Sequence, residues 1–185
     1  SRALVQGGVR RLGVSSVAEG VQLREGGINV PILVMGGVWT EHLQDLRGNA
    51  LTPVIYDLEM FKEMCSELSS SHPPLSVHLK VDTGMRRLGL SSREVMAILE
   101  GSGHNISVEG LMTHLSHSEI EDRNVTNQQL SQFNILTGDL RSRNVHIPLC
   151  HMANSAAIIG APDTHMNLVR PGLMLYGVSP FDAAV

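Results

Sequence analysis

The chain has 185 residues, 42% hydrophobic and 17% charged, which is the length and apolar content of one folded domain with a sizeable core. A formal charge of −4 without any basic run, and an aromatic content of only 3%, argue against phosphate-tracking or base-stacking surfaces and so against a nucleic-acid partner. No apolar run reaches the roughly 20 residues of a membrane-spanning helix. In chain order, Arg2–Gly7 reads as the tail of a helix. Short β-branched runs bounded by turn residues follow at Arg11–Val14, Ile32–Met35, Val54–Tyr56, Ser76–Val81, Val108–Thr113, Ile147–His151 and Asn167–Arg170, the pattern of buried parallel strands. Helical patterns fill the gaps: Leu58, Phe61, Met64, Cys65 and Leu68 recur at helical spacing, as do Leu130, Phe133, Leu136 and Leu140. Capping boxes predict helix starts at Ser16 with Glu19, Ser91 with Glu94, and Thr126 with Gln129. Gly26–Gly27, Gly48 and Gly101 predict helix ends.

Strand–helix alternation predicts an α/β fold, a parallel sheet covered by helices. The seven strand candidates are one short of a closed (β/α)8, TIM-type barrel, so residues 1–180 are read as strands two to eight of such a barrel, the first strand lying outside this sequence. An open doubly wound sheet is the alternative, although no G-x-G-x-x-G follows a strand, which weakens its dinucleotide-binding form. Cys65 and Cys150 lie in apolar segments and are expected as free thiols.

In such a barrel the site lies at the C-terminal ends of the strands. Lys80, Asp82 and Thr83 end one strand and lead into Gly84-Met85-Arg86-Arg87; Thr113-His114 end the next; His151 precedes Asn154-Ser155-Ala156-Ala157; Arg170-Pro171-Gly172 end the last. Ser155 opens a small-residue helix whose first N–H groups would bind an anion, and Gly172-Leu173 would lie beside it with a backbone open to close approach. Each residue also has a plainer reading. Lys80 would pair with Asp82, and Arg87 would be a surface charge after a glycine turn. His114, His117 and Glu119 would be solvated loop residues, not a metal site. His151 ahead of Ser155 lacks the nucleophile elbow of a hydrolase. Of 14 basic residues only Lys62 and Lys80 are lysines.

Three stretches carry a resemblance: His78-Leu79-Lys80-Val81-Asp82-Thr83-Gly84-Met85-Arg86-Arg87-Leu88-Gly89, His151-Met152-Ala153-Asn154-Ser155-Ala156-Ala157, and Val169-Arg170-Pro171-Gly172-Leu173-Met174-Leu175-Tyr176-Gly177-Val178-Ser179-Pro180. Weaker support comes from Arg11-Leu12-Gly13-Val14 with Glu19-Gly20 and from Glu109-Gly110-Leu111-Met112-Thr113-His114. In order and spacing these resemble the N-terminal barrel of alanine racemases across nearly the whole chain. The resemblance implies pyridoxal 5'-phosphate (PLP) as cofactor. Arg170 would face the pyridine nitrogen and leave it unprotonated, because a guanidinium keeps its proton at ordinary pH. The weaker electron sink that results would favour simple reprotonation over side reactions. His151 would hold Arg170, and Ser155 with the Gly172 and Leu173 backbone would hold the phosphate, supported by Asn154. Arg87 would lie near the phenolic oxygen and the substrate carboxylate, where a planar fork suits an anion. Lys80 matches a family lysine that can be carbamylated to N6-carboxylysine, and His114 matches the histidine that hydrogen-bonds the catalytic tyrosine.

The resemblance also implies parts that these residues do not supply: a Schiff-base lysine on the first strand, and a tyrosine from the C-terminal β-domain of the partner subunit in a homodimer. Lys62, Tyr56 and Tyr176 match neither, and Lys80 already matches another position. The chain alone is therefore expected to be inactive, with residues 181–185 beginning a linker toward that further domain. The full-length protein is expected to interconvert L-alanine and D-alanine in a bacterial cytoplasm, feeding peptidoglycan. The alternatives are a broader amino-acid racemase or a related PLP barrel decarboxylase, whose members place a carboxylate where Arg170 stands, and a non-catalytic PLP-binding barrel fragment.

Overall fold

The computed structural model describes residues 1–68, 73–101 and 105–181. Its strands are β1 (Leu12–Val14), β2 (Ile32–Val34), β3 (Leu51–Ile55), β4 (Leu75–Lys80), β5 (Ile106–Met112) and β6 (Leu149–His151). Its α-helices are α1 (Arg2–Gln6), α2 (Val17–Glu25), α3 (Leu43–Gly48), α4 (Leu58–Glu67), α5 (Ser92–Gly101), α6 (Asn124–Ser142) and α7 (Ser155–Gly160). The strands hydrogen-bond in chain order, β1-β2-β3-β4-β5-β6, and the β1–β2, β2–β3 and β5–β6 pairs are parallel. That order follows when each strand returns beside its predecessor through a helix.

The chain packs as two compact units. The first comprises the residues up to His78 together with Ala97–Val108; the second comprises Leu79–Met96 and the chain from Glu109 onward. In the first unit Ser16 and Glu19 form the expected capping box at α2, each side chain serving the other's backbone N–H. Asp57 caps α4 through Met60 N at 2.9 Å, and Phe61 and Met64 carry that helix's buried face. Ile32, Val34, Leu46, Val54 and Ile55 are essentially fully buried. The strand expected at Val54–Tyr56 instead begins at Leu51. Pro53, which has no N–H to donate, lies inside it and masked its start.

In the second unit Ser91 and Glu94 form the expected box at the head of α5. Leu79, Leu111, Phe133, Leu136, Leu140, Met152 and Ala157 make the core. Two expectations fail here. The Thr126–Gln129 box does not start a helix: α6 begins at Asn124, and both residues are buried inside it, Thr126 bonding the His117 carbonyl at 3.3 Å. The spacing of a capping box recurs wherever two polar residues share a helix face, so it cannot by itself mark an end. The seventh strand, Asn167–Arg170, shrinks to a parallel bridge between His151 and Leu168. Asn167 N still donates to the Cys150 carbonyl at 3.3 Å, but its side chain takes the rest of the ladder's place, accepting the Cys150 N–H at 2.8 Å and donating to the Pro148 carbonyl at 2.8 Å. Both cysteines are free thiols.

Candidate functional site

Every residue singled out for the site falls in the second unit. Lys80 ends β4 and is only 7% exposed. The chain then makes a tight excursion and returns: Asp82 N donates to the Leu90 carbonyl at 3.0 Å, and Leu90 N to the Lys80 carbonyl at 2.8 Å. Asp82 Oδ1 accepts from Gly84 N at 2.9 Å and Arg86 N at 3.0 Å, so this carboxylate closes the turn. Gly89, at φ +151°, completes the return; a Cβ there would lie 2.6 Å from Asp82 N. The turn presents Arg87 on the surface. Burial lowers the Lys80 pKa, with Arg87 and Arg170 adding to the shift and Asp82 opposing it.

The ends of β5 and β6 converge on Arg170. Its Nη1 donates to His151 Nδ1 at 2.8 Å; its Nη2 donates to the Thr113 carbonyl at 2.8 Å and the Met152 carbonyl at 3.2 Å. A guanidinium only donates, so His151 Nδ1 accepts and the ring carries its proton on Nε2. His151 is fully buried. Arg170 is half-buried as a residue, and the burial of its guanidinium brings its pKa down to about 10, still charged at neutral pH. His114 Nδ1 stands 3.5 Å from Arg170 Nη2. Burial first, then Arg170, Arg87 and Lys80, drive the His114 pKa to about 4, so its ring is neutral at pH 7.

Beside this lies a cradle of donors. Ser155, 5% exposed, begins α7 and accepts at Oγ from Gly172 N at 2.9 Å and Met174 N at 3.3 Å. Leu173 lies between those two donors and is about half exposed. Asn154 caps α7 through Ala157 N at 3.1 Å and accepts from Ser118 Oγ at 2.8 Å. Nothing lies within 4 Å of where a Cβ would stand on Gly172, so its backbone is open to a ligand. The Gly172 and Met174 N–H groups gathered on Ser155, an open glycine and the Arg170 guanidinium two residues away suit a small anion such as a phosphate group. Sequence reading missed Ser116, Ser118 and Gln129. The available signal was a glutamine on the stripe of Thr126, Phe133, Leu136 and Leu140 that α6 buries.

The comparisons with known proteins agree with one another. A family model described as alanine racemase, N-terminal domain, matches residues 1–180. The chain is 38% identical over 184 residues to an alanine racemase of Methanococcus maripaludis, and 36% identical over 181 residues to one of Carboxydothermus hydrogenoformans; each match covers 97% of this chain and 49% of that protein. Among solved structures it is similar to alanine racemase of Clostridium difficile 630 in complex with cycloserine, with a TM-score of 0.92 and 33% identity over 98% of this chain and 50% of that one. It is also similar to the alanine racemase of E. faecalis, with a TM-score of 0.88 and 28% identity. The chain thus spans about half the length of the relatives it matches. The α/β fold of TIM-barrel class expected from the alternation of strands and helices is the chain's fold class.

Proposed function

This chain belongs to the alanine racemase family through that family's N-terminal domain, and from that premise we propose that it is the cofactor-binding part of an enzyme interconverting L-alanine and D-alanine. The observation that carries the reading is Arg170, enclosed and fixed by His151, the Thr113 carbonyl and the Met152 carbonyl. PLP, when bound, supplies the electron sink that acidifies the substrate's α-hydrogen. This chain's residues would set how strong that sink is. An arginine against the ring nitrogen donates a hydrogen bond but keeps its proton, since its pKa of about 10 is well above neutrality.

Ser155, Gly172 and Leu173 would hold the phosphate, with Asn154 fixing the start of α7 behind them. Neutral His114 would accept or donate a hydrogen bond without adding a further cation beside Arg87 and Arg170. Arg87, exposed on its turn, would take the substrate carboxylate. Lys80 is buried among arginines that favour its neutral amine, the form that adds carbon dioxide; a carbamate there would face Arg87 with a negative charge. Lys62 is exposed and paired with Glu59 at 2.6 Å, so neither lysine is assigned the covalent link to the cofactor. Residues 1–180 are proposed as a partial barrel, with 181–185 opening a linker; residues 182–185 lie outside the described residues. Among the described residues no helix is long and apolar enough to cross a membrane. A homodimer working in the cytoplasm completes the proposal.

The test is to purify the full-length protein with PLP, supply L-alanine and follow D-alanine formation. Racemisation that requires PLP and fails with Arg170→Met is expected. A full-length, PLP-loaded protein that leaves L-alanine unchanged would overturn the reading.

A further inference from the structure

Behind the site, α6 carries a side-chain amide with 0% exposure, Gln129. Its Nε2 donates to Thr83 Oγ1 at 3.1 Å and to the His114 carbonyl at 3.0 Å. Its Oε1 accepts from Ser116 N at 2.9 Å and from Ser116 Oγ at 3.1 Å. Both N–H bonds and both lone pairs of the amide are therefore used. The His114 carbonyl can only accept and the Ser116 N–H can only donate, so the amide has a single orientation. Thr83 Oγ1 lies 2.7 Å from Thr113 Oγ1, and both threonines are buried.

The stretch Thr113-His114-Leu115-Ser116 is thus gripped from α6 directly at the His114 carbonyl and Ser116, and at Thr113 Oγ1 through Thr83. From the opposite side Arg170 Nη2 takes the Thr113 carbonyl at 2.8 Å. Thr83 lies in the turn between Lys80 and Arg87, so the same amide also ties that turn to the end of β5. A leucine would continue the apolar stripe of α6 equally well, but it would leave a buried N–H and carbonyl unpaired. A fully satisfied buried network instead rigidifies what it joins.

We propose that Gln129, acting with Thr83, is a positioning residue: it fixes the β5 end that carries His114 and supplies Arg170 with its carbonyl acceptor, and it anchors the turn that carries Arg87. The inference rests on the racemase reading above. It is tested in the full-length, PLP-loaded protein with Gln129→Met, Thr83→Val and Thr83→Ser, measuring kcat and KM per bound cofactor, PLP affinity and the thermal midpoint. Displacing reacting groups by a fraction of an ångström to an ångström costs roughly ten- to a hundredfold. Gln129→Met is expected to lower kcat by about that factor with KM changed much less. Thr83→Val is expected to move kcat in the same direction, and Thr83→Ser, which keeps the hydroxyl, to restore it. Wild-type kcat per bound cofactor in both Gln129→Met and Thr83→Val, with only a lower thermal midpoint, would overturn the proposal. If Gln129→Met does not fold, Thr83→Val decides by the same criterion, and a Thr83→Ser as slow as Thr83→Val would also overturn it. If the wild type binds PLP but makes no D-alanine, the racemase reading fails alone, and PLP affinity decides here: weaker binding in Gln129→Met supports positioning, unchanged binding refutes it.

Discussion

His114 takes its charge state from its surroundings, burial first and then Arg170, Arg87 and Lys80, which together bring its pKa from 6.5 to about 4. Its folded pKa is thus depressed below the unfolded one. Between these values the unfolded chain binds a proton that the folded chain refuses. The stabilisation is present above about pH 6.5 and is lost as pH falls toward 4. Denaturant titrations across that window should show stability falling with acid, and His114→Gln should flatten that part of the slope. An acid slope unaltered by the substitution would remove His114 as its source. Single residues also show where sequence reading stops. His151, Asn154 and Ser155 sit within a few positions of one another, so one contiguous motif singled them out together. Gln129 and Thr83 lie 46 residues apart and meet only through the fold, so no local spacing announced them.

At the scale of elements, two glycines in the site region separate support of the fold from access for a ligand. Gly89 lies at φ +151° with no room for a Cβ against the Asp82 backbone. Gly89→Ala should therefore cost about 2 kcal/mol or more, because neither the dihedral nor the backbone contact can relax cheaply. Gly172 has φ −125° and open space above it. Gly172→Ala should leave the thermal midpoint nearly unchanged while weakening PLP binding, because the methyl group fills the volume a phosphate would take. Equal loss of stability in both variants would contradict the division. Elements set by local chemistry were legible in the sequence: the Ser16 and Ser91 boxes formed because each bond stays within one turn. The box at Thr126 and Gln129 did not, because both side chains were already engaged by other parts of the chain. The seventh strand was only half legible. Its apolar pattern is real, but beside one backbone bond to Cys150 the Asn167 side chain takes the place of the rest of the ladder.

For the molecule as a whole, fold class was legible because strand–helix alternation is repeated along nearly all of the chain, and errors of a residue or two at each end do not disturb it. Four of the six residues from Leu173 to Val178 are large, apolar and about half exposed or more: Leu173, Leu175, Tyr176 and Val178. Exposed apolar runs of this kind mark surfaces that bury themselves against something. The 185-residue chain on its own should accordingly associate with rising concentration in analytical ultracentrifugation. A monodisperse monomer at high concentration would show that this run is inert. Arg87, Arg170 and the buried Lys80 gather around a neutral histidine, with Asp82 committed to its turn. Such a site ranks visitors by charge before it ranks them by shape. Phosphate or sulfate in a buffer would be drawn to the same arginines as the anions the site is proposed to bind, and added salt would weaken that attraction by screening. The affinity read in any one solution is then an exchange constant set by its anions.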